Sequence, residues 1–185
     1  EFLIEMNNAA GRKYLLDEQI GISPLRLDNH GLTRALHFLG RDDVTVILVG
    51  AMPAFGSTTP LSVRAAVIQV AAESMALSVV SERVGFGAGG FGGEIFPFDF
   101  QHAGILFGGP EDMLLMNATH QFCEFLNGRP KRMGAFHTMA KQPDGHAAAE
   151  RAAGALWQAL LGVRRFHGAG QIAVDEILSP VQAVI

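Results

Sequence analysis

The chain has 185 residues, with 14 Lys+Arg against 18 Asp+Glu, and 49% of its residues are apolar. That apolar fraction is ample for a packed core and excludes global disorder, while a net charge of -4 leaves no footprint for nucleic acid. A single cysteine, Cys123, excludes a disulfide framework and any Cys-rich zinc module.

In chain order, residues 22–25 and the helix-like stretch 32–39 are expected to form a first strand–helix pair. The run Val44-Thr45-Val46-Ile47-Leu48-Val49 is continuously apolar and β-branched, as expected of a strand buried on both faces. Ser57-Thr58-Thr59-Pro60 signals a helix start, and the apolar spacing of Val63, Val67, Val70, Ala71, Met75 and Leu77 predicts a helix over about 61–80. A second strand is expected at 95–100, with a helix from Gly109-Pro110-Glu111-Asp112 to Asn127-Gly128. A third pair is strand 133–137 and the Ala-rich helix 146–161, ended by Gly162. A fourth is strand 165–168 and a helix opening at Ser179-Pro180. A helix that opens there and stops six residues later reads as cut, and the first residue is not Met, so the chain is expected to be a piece of a longer protein.

Alternating strand–helix units predict an α/β fold with parallel strands, either a doubly wound sheet or a partial (β/α)₈ TIM barrel of four to five βα units, within a single domain over 1–185. Function is then expected at the C-terminal ends of the strands. Arg64, Gln69, Glu73, Glu82 and Arg83 interrupt the longest apolar run, so no membrane span is expected. Without a signal-peptide pattern, the expected compartment is the cytoplasm.

Residues 85–93 contain overlapping G-x-G-x-x-G matches. A helix precedes them and a strand follows, the reverse of a dinucleotide site, so a turned loop is the better reading. The seven histidines include no metal-ligand pair on one helical face, and no metal site is expected. His137 and His167 end predicted strands, where a barrel carries its chemistry. Asp99 also ends a strand and is expected to point into the working mouth. Asp144 reads as a helix N-cap and Glu150 lies one turn inside that helix. Glu73, within an apolar helix, must face solvent or find a partner such as Arg64 or Arg83. Ser57 lacks the G-x-S-x-G frame of a nucleophile elbow. Phe96, Phe98, Phe100 and Phe136 with Asp99 could form an apolar, anionic pocket for a quaternary ammonium ligand, or simply core.

Several stretches, in order, resemble the trimethylamine–corrinoid methyltransferase family. They are Ile22-Ser23-Pro24-Leu25-Arg26-Leu27-Asp28, the loop Met52 through Ser62, Ala72-Glu73, Gly108-Gly109-Pro110-Glu111, Pro143-Asp144-Gly145-His146-Ala147-Ala148-Ala149-Glu150, Leu160-Leu161-Gly162-Val163 and Gly168-Ala169-Gly170. The resemblance runs from about residue 20 onward. It implies a (β/α)₈ barrel that moves a methyl group from a methylated amine to the cobalt of a corrinoid (cobalamin) carried by a separate protein, with no cofactor bound directly. Members with pyrrolysine demethylate trimethylamine, and relatives without it act on quaternary amines such as glycine betaine. This chain holds no pyrrolysine, whose counterpart should lie within 136–144, and His146 stands where the family often has Gln. On this reading His137 and Asp99 are expected to be catalytic, with Phe98, Phe136, His167 and Glu73 binding substrate. A homo-oligomer is expected. The other classes open to the sequence are an inactive, self-associating barrel piece and a different barrel enzyme that holds a phosphate on Gly168-Ala169-Gly170.

Overall fold

Hydrophobic periodicity and end signals set most of the elements. The computed structural model describes residues 2–12, 15–87, 92–128 and 133–184. Helix α1 (Phe2–Ala9) leads into strand β1 (Leu15–Ile20), helix α2 (Asn29–His37) and strand β2 (Val44–Val49). Strand β3 (Ala54–Phe55), helix α3 (Val63–Val84), strand β4 (Phe96–Asp99), strand β5 (Gly104–Ile105) and helix α4 (Pro110–Asn127) follow. The chain continues through strand β6 (Met133–Ala135), helix α5 (Gly145–Leu160), strand β7 (Arg165–His167), the β8 (Gln171–Ile172) and β9 (Ile177–Leu178) hairpin, and helix α6 (Pro180–Val184).

Three parallel pairs carry the architecture, each with a helix between its strands. β1 lies beside β2 across α2, in register from Leu15↔Val44 to Ile20↔Val49. β3 pairs β4 across α3, and β6 pairs β7 across α5 with Ala135 opposite His167. Two antiparallel hairpins, β4–β5 and β8–β9, extend the chain beyond the ends of β4 and β7. One core cluster, with Ile4, Ala35, Val46, Leu48 and Leu77, packs α1, α2 and α3 onto β2. A second joins Ala66, Val67 and Val70 of α3 to Ile95 and to Leu115 of α4.

Among the described residues the strands fall into four small sheets rather than one continuous sheet. At β6 the reason is local. Successive residues of a strand aim their N–H and C=O groups at opposite edges, and the Phe136 N–H goes to His167 O at 3.1 Å. The Ala135 groups therefore face away from β7, and the buried Gln158 carboxamide of α5 takes both. Its Oε1 accepts from Ala135 N at 3.0 Å, and its Nε2 donates to Ala135 O at 2.9 Å. That edge of β6 is satisfied without a neighbouring strand. The mixed α/β architecture matches the sequence expectation. Among the described residues the strands form parallel βαβ pairs and short hairpins, and no continuous barrel sheet is present.

Helices α4 and α5 end where the sequence places them. Gly109-Pro110 opens α4, and Gly128 closes it in the left-handed region at φ 65°. Asp144 caps α5 by accepting from His146 N and Ala147 N. The first strand is a correction. β1 is Leu15–Ile20, whereas residues 22–26 form a tight turn in which Ile22 and Arg26 exchange backbone hydrogen bonds of 2.8 Å. Asp17, Glu18 and Gln19 break the apolar pattern in β1, a tolerable composition in a strand with one paired edge.

Helix α3 starts at Ser62 rather than Ser57-Pro60, because Thr58 Oγ1 accepts from Ala54 N and locks 54–59 into a turn. It also bears on the membrane expectation. Its 22 residues, with a window of mean hydropathy 1.5, are long and apolar enough by length and composition to cross a membrane. Here its buried face carries Glu73, Ser74 and Ser81 alongside Val67, Val70 and Leu77. Glu73 pairs with neither Arg64 nor Arg83. It accepts from Ser23 Oγ at 2.6 Å and from Gln69 Nε2 at 2.7 Å, so neutral donors satisfy the buried carboxylate.

Replacing Gln158 with the similarly sized Leu orphans a buried amide and a buried carbonyl. Gln158→Leu is expected to lower unfolding stability by about 2–4 kcal/mol, read from the urea midpoint at unchanged slope.

Candidate active site

Side chains alternate faces where β6 ends. Phe136 points toward α5: its ring stacks on Phe166 at 4.9 Å, and the Arg151 guanidinium lies over it, 5.1 Å from the ring centroid. His137 points the opposite way and is 7% exposed. Its ring lies 4.4 Å from the Phe107 ring at a 31° tilt and 5.7 Å edge-on from Phe96. His167, at the end of β7, stands 6.0 Å from it.

Three carboxylates converge on this imidazole from three other segments. Asp175, in the β8–β9 turn, places Oδ2 2.8 Å from His137 Nδ1. Glu94, just before β4, places Oε2 3.8 Å from Nε2. Asp112, in the first turn of α4, is 3% exposed; its Oδ2 accepts from Gly108 N at 2.9 Å. Among the described residues His137 Nε2 and Asp112 Oδ1 have no hydrogen-bond partner.

Burial by itself would lower the His137 pKa, but the hydrogen bond to Asp175 and the Glu94 carboxylate outweigh it and raise the pKa from 6.5 to about 9. Burial raises Asp112 from 3.8 to about 6, against the opposing Gly108 N–H and His137 charge. At neutral pH the site is thus one imidazolium among three carboxyl groups, with an aromatic wall. It can bind a cation, and through Nε2–H it can donate to an acceptor.

The loop after His137 is braced by Glu150. Its Oε2 accepts from Thr138 Oγ1 at 2.6 Å and from Met139 N at 2.9 Å, while Oε1 pairs with His146 Nε2 at 2.9 Å. Gly108 has φ 74°, and a Cβ there would press on the Glu150 side chain.

The turn carrying Asp175 is unusual. Ala173, Val174 and Asp175 lie consecutively in the left-handed region at φ 55°, 59° and 65°. Each non-glycine residue there costs about 1 kcal/mol, and a β-branched Val is least suited to it. Hydrogen bonds from Ala173 N to Ala140 O at 2.8 Å and from Val174 N to Thr138 O at 3.2 Å hold the turn down.

The residues singled out in the sequence do not all meet. His137 and His167 are neighbours. Asp99 lies in the β4–β5 hairpin, where Oδ1 accepts from Gln101 N and His102 N and Oδ2 meets His102 Nδ1 at 2.6 Å. The bonds from His102 and then Gln101 hold its pKa below the ordinary carboxylate value. Phe98 packs on Phe100 in the same hairpin, and Phe136 packs on Phe166. Glu73 lines a separate cleft of about 110 Å³ with Gly21, Leu25, Arg26 and Leu77, which shares no residue with the His137 site.

Sequence reasoning missed Glu94, Phe107 and Asp175, and read Asp112 only as a helix-start acid. Phe107 and Asp112 flank the Gly108-Gly109-Pro110 helix start, a signal that could have drawn attention to them. Of the glycine-rich motif, residues 88–91 lie outside the described residues. Gly85 closes α3 at φ 87°, as a turned loop requires. Gly168-Ala169-Gly170 leads into β8, not a helix N-terminus, and Gly168 O accepts from Arg151 Nη2.

An α/β chain with a buried polar and aromatic centre at a strand end suits an enzyme. The family model described as Trimethylamine methyltransferase (MTTB) matches residues 10–174, most of the chain, and the chain belongs to this methyltransferase family. Glu94, Phe107, Asp112 and His137 lie within the matched stretch, and Asp175 is one residue beyond it. No curated protein gives a match.

Both raised pKa values tie stability to pH with the same sign. The His137 contribution is complete below pH 6.5 and is lost as pH rises through about 9. The Asp112 contribution is complete below 3.8 and is lost as pH rises through about 6. Stability is therefore expected to fall in two steps between pH 4 and 9.5, the upper one by at most about 3 kcal/mol. Urea midpoints at pH 4, 7 and 9.5 check this: His137→Asn should flatten the upper step and Asp112→Asn the lower.

Proposed function

We propose that the chain forms the substrate site of a methyltransferase that moves a methyl group from a methylated amine, quaternary in type such as a betaine, to the cobalt of a corrinoid on a separate protein. Family membership supports the methyl-transfer chemistry. The observation that carries the substrate class is the His137 site, where the carboxylates of Glu94, Asp112 and Asp175 outnumber one imidazolium beside Phe96 and Phe107. A surplus of buried and half-buried negative charge against aromatic rings favours an ammonium whose charge is spread over methyl groups.

A quaternary amine leaves as a neutral amine, so the site need not supply a proton to nitrogen. The residues bind and orient: Glu94 and Asp112 attract the cation, Phe96 and Phe107 bound it, and burial excludes water. When docked, the corrinoid supplies a reduced cobalt nucleophile, and it stays on its own protein. On this reading the βαβ pairs are staves of a (β/α)₈ barrel whose strand ends open toward that partner. Asp99 and Phe98 then belong to the hairpin at the rim. The absence of pyrrolysine from the sequence favours quaternary amines over trimethylamine. Self-association belongs to the same reading, because Ile68 on α3 and Leu114 and Phe125 on α4 are exposed.

Isothermal titration with tetramethylammonium and glycine betaine is expected to show saturable binding, weakened about tenfold by Glu94→Gln or Asp112→Asn. Absence of saturable binding of either compound to the unsubstituted chain overturns the reading.

A further inference from the structure

We infer that Asp175 is a positioning residue: the left-handed turn at 173–175 holds its carboxylate on His137 Nδ1, so that the ring aims its Nε2–H at an acceptor oxygen on the bound ligand. The ligand half of this statement rests on the function proposed above; the ring geometry does not.

The strain is the first argument. Three successive L-residues, one of them β-branched, occupy the left-handed region at φ 55°, 59° and 65°, where a turn built from Gly or Asn would be relaxed. The conformation persists because Ala173 N and Val174 N bond to Ala140 O and Thr138 O, in the segment that carries His137. The same bonds that sustain the strain bring Asp175 Oδ2 to 2.8 Å from Nδ1.

The ring's second nitrogen is the other argument. The groups facing it are Asp175 from the turn, Glu94 from the segment before β4, Asp112 from α4 and His167 from β7; Arg151 of α5 acts on Asp175. With carboxylates near both nitrogens the ring stays protonated, consistent with a pKa of about 9. Nδ1–H is spent on Asp175. The Nε2 atom, on a side chain 6% exposed, has no partner at hydrogen-bond distance among the described residues, and Glu94 stands 3.8 Å off. A buried donor left open among carboxylates and aromatic rings suits a ligand with an oxygen acceptor close to its ammonium group.

The test is long-range proton–nitrogen NMR of the histidine rings, with His137 assigned by loss of its signals in His137→Asn. In the unsubstituted chain both ring nitrogens should be protonated at pH 8. In Asp175→Asn the ring pKa should drop by about 1–3 pH units, and Asp175→Glu should recover part of it. Val174→Gly should leave the titration unchanged while raising the melting temperature, and so separates strain from positioning. An ordinary titration near 6.5 in the unsubstituted chain overturns the proposal without recourse to a variant or a ligand, and no difference between it and folded Asp175→Asn overturns it equally. Asp175→Asn should weaken glycine betaine about tenfold more than it weakens tetramethylammonium, which has no acceptor; equal weakening of both overturns the ligand half. If neither compound binds the unsubstituted chain, the proposed function fails and the aim at a ligand fails with it, while the ring titration still decides the positioning.

Discussion

A charged imidazole in an apolar wall has to be compensated, and that requirement organises the site. His137 sits against Phe107 and Phe96 and is almost wholly buried. In such surroundings the ring would be neutral, and only the carboxylates of Asp175 and Glu94 keep it protonated. Asp112 then stands close to an established positive charge, which partly offsets the cost of its own burial. Four segments distant in sequence are held in register by this one arrangement: the approach to β4, the first turn of α4, the end of β6 and the β8–β9 turn. The arrangement is conditional on pH, because its two most perturbed groups change charge within the range from mildly acid to alkaline.

Around that centre the backbone is closed off by side chains where a longer sheet would use a neighbouring strand. Gln158 behaves as a one-residue strand for Ala135. Glu150 holds the loop that follows His137, and Glu73 ties α3 to the turn after β1 through Ser23. Close approaches depend on missing side chains: a Cβ on Gly50 would collide with the Gly92 carbonyl, which accepts from Ser74 Oγ. These contacts explain how short strands in small separate sheets are held against the helices.

Membership of the trimethylamine methyltransferase family sets the chemistry within which the site is read. Its charge balance favours a cation, and its one open donor favours a ligand that also carries an acceptor. The two features are carried by different residues, so they can be separated experimentally. Asp99, at the end of β4, serves its own hairpin, where its carboxylate organises the turn with His102.

Legibility in the sequence followed the range of the interactions. β2, α4 and α5 could be read directly, because a β-branched run, Gly109-Pro110 with Gly128, and the Asp144 cap are local signals. Ser179 likewise caps α6, accepting from Gln182 N at 3.2 Å. β1 could not, since its polar residues deny it the alternation on which strand reading depends, and the two-residue hairpin strands carry no periodicity at all. His137 was legible as a residue at a strand end, but its partners were not: Asp175 lies 38 positions away, and nothing in its neighbourhood marks a left-handed turn. By itself the sequence determined the α/β class, strand β2 and the ends of α4 and α5. The tertiary structure alone decided which carboxylates surround His137, which aromatic rings wall it and which edge Gln158 closes, because compensating a buried charge or an unpaired backbone group depends on proximity in space, and chain order does not record it.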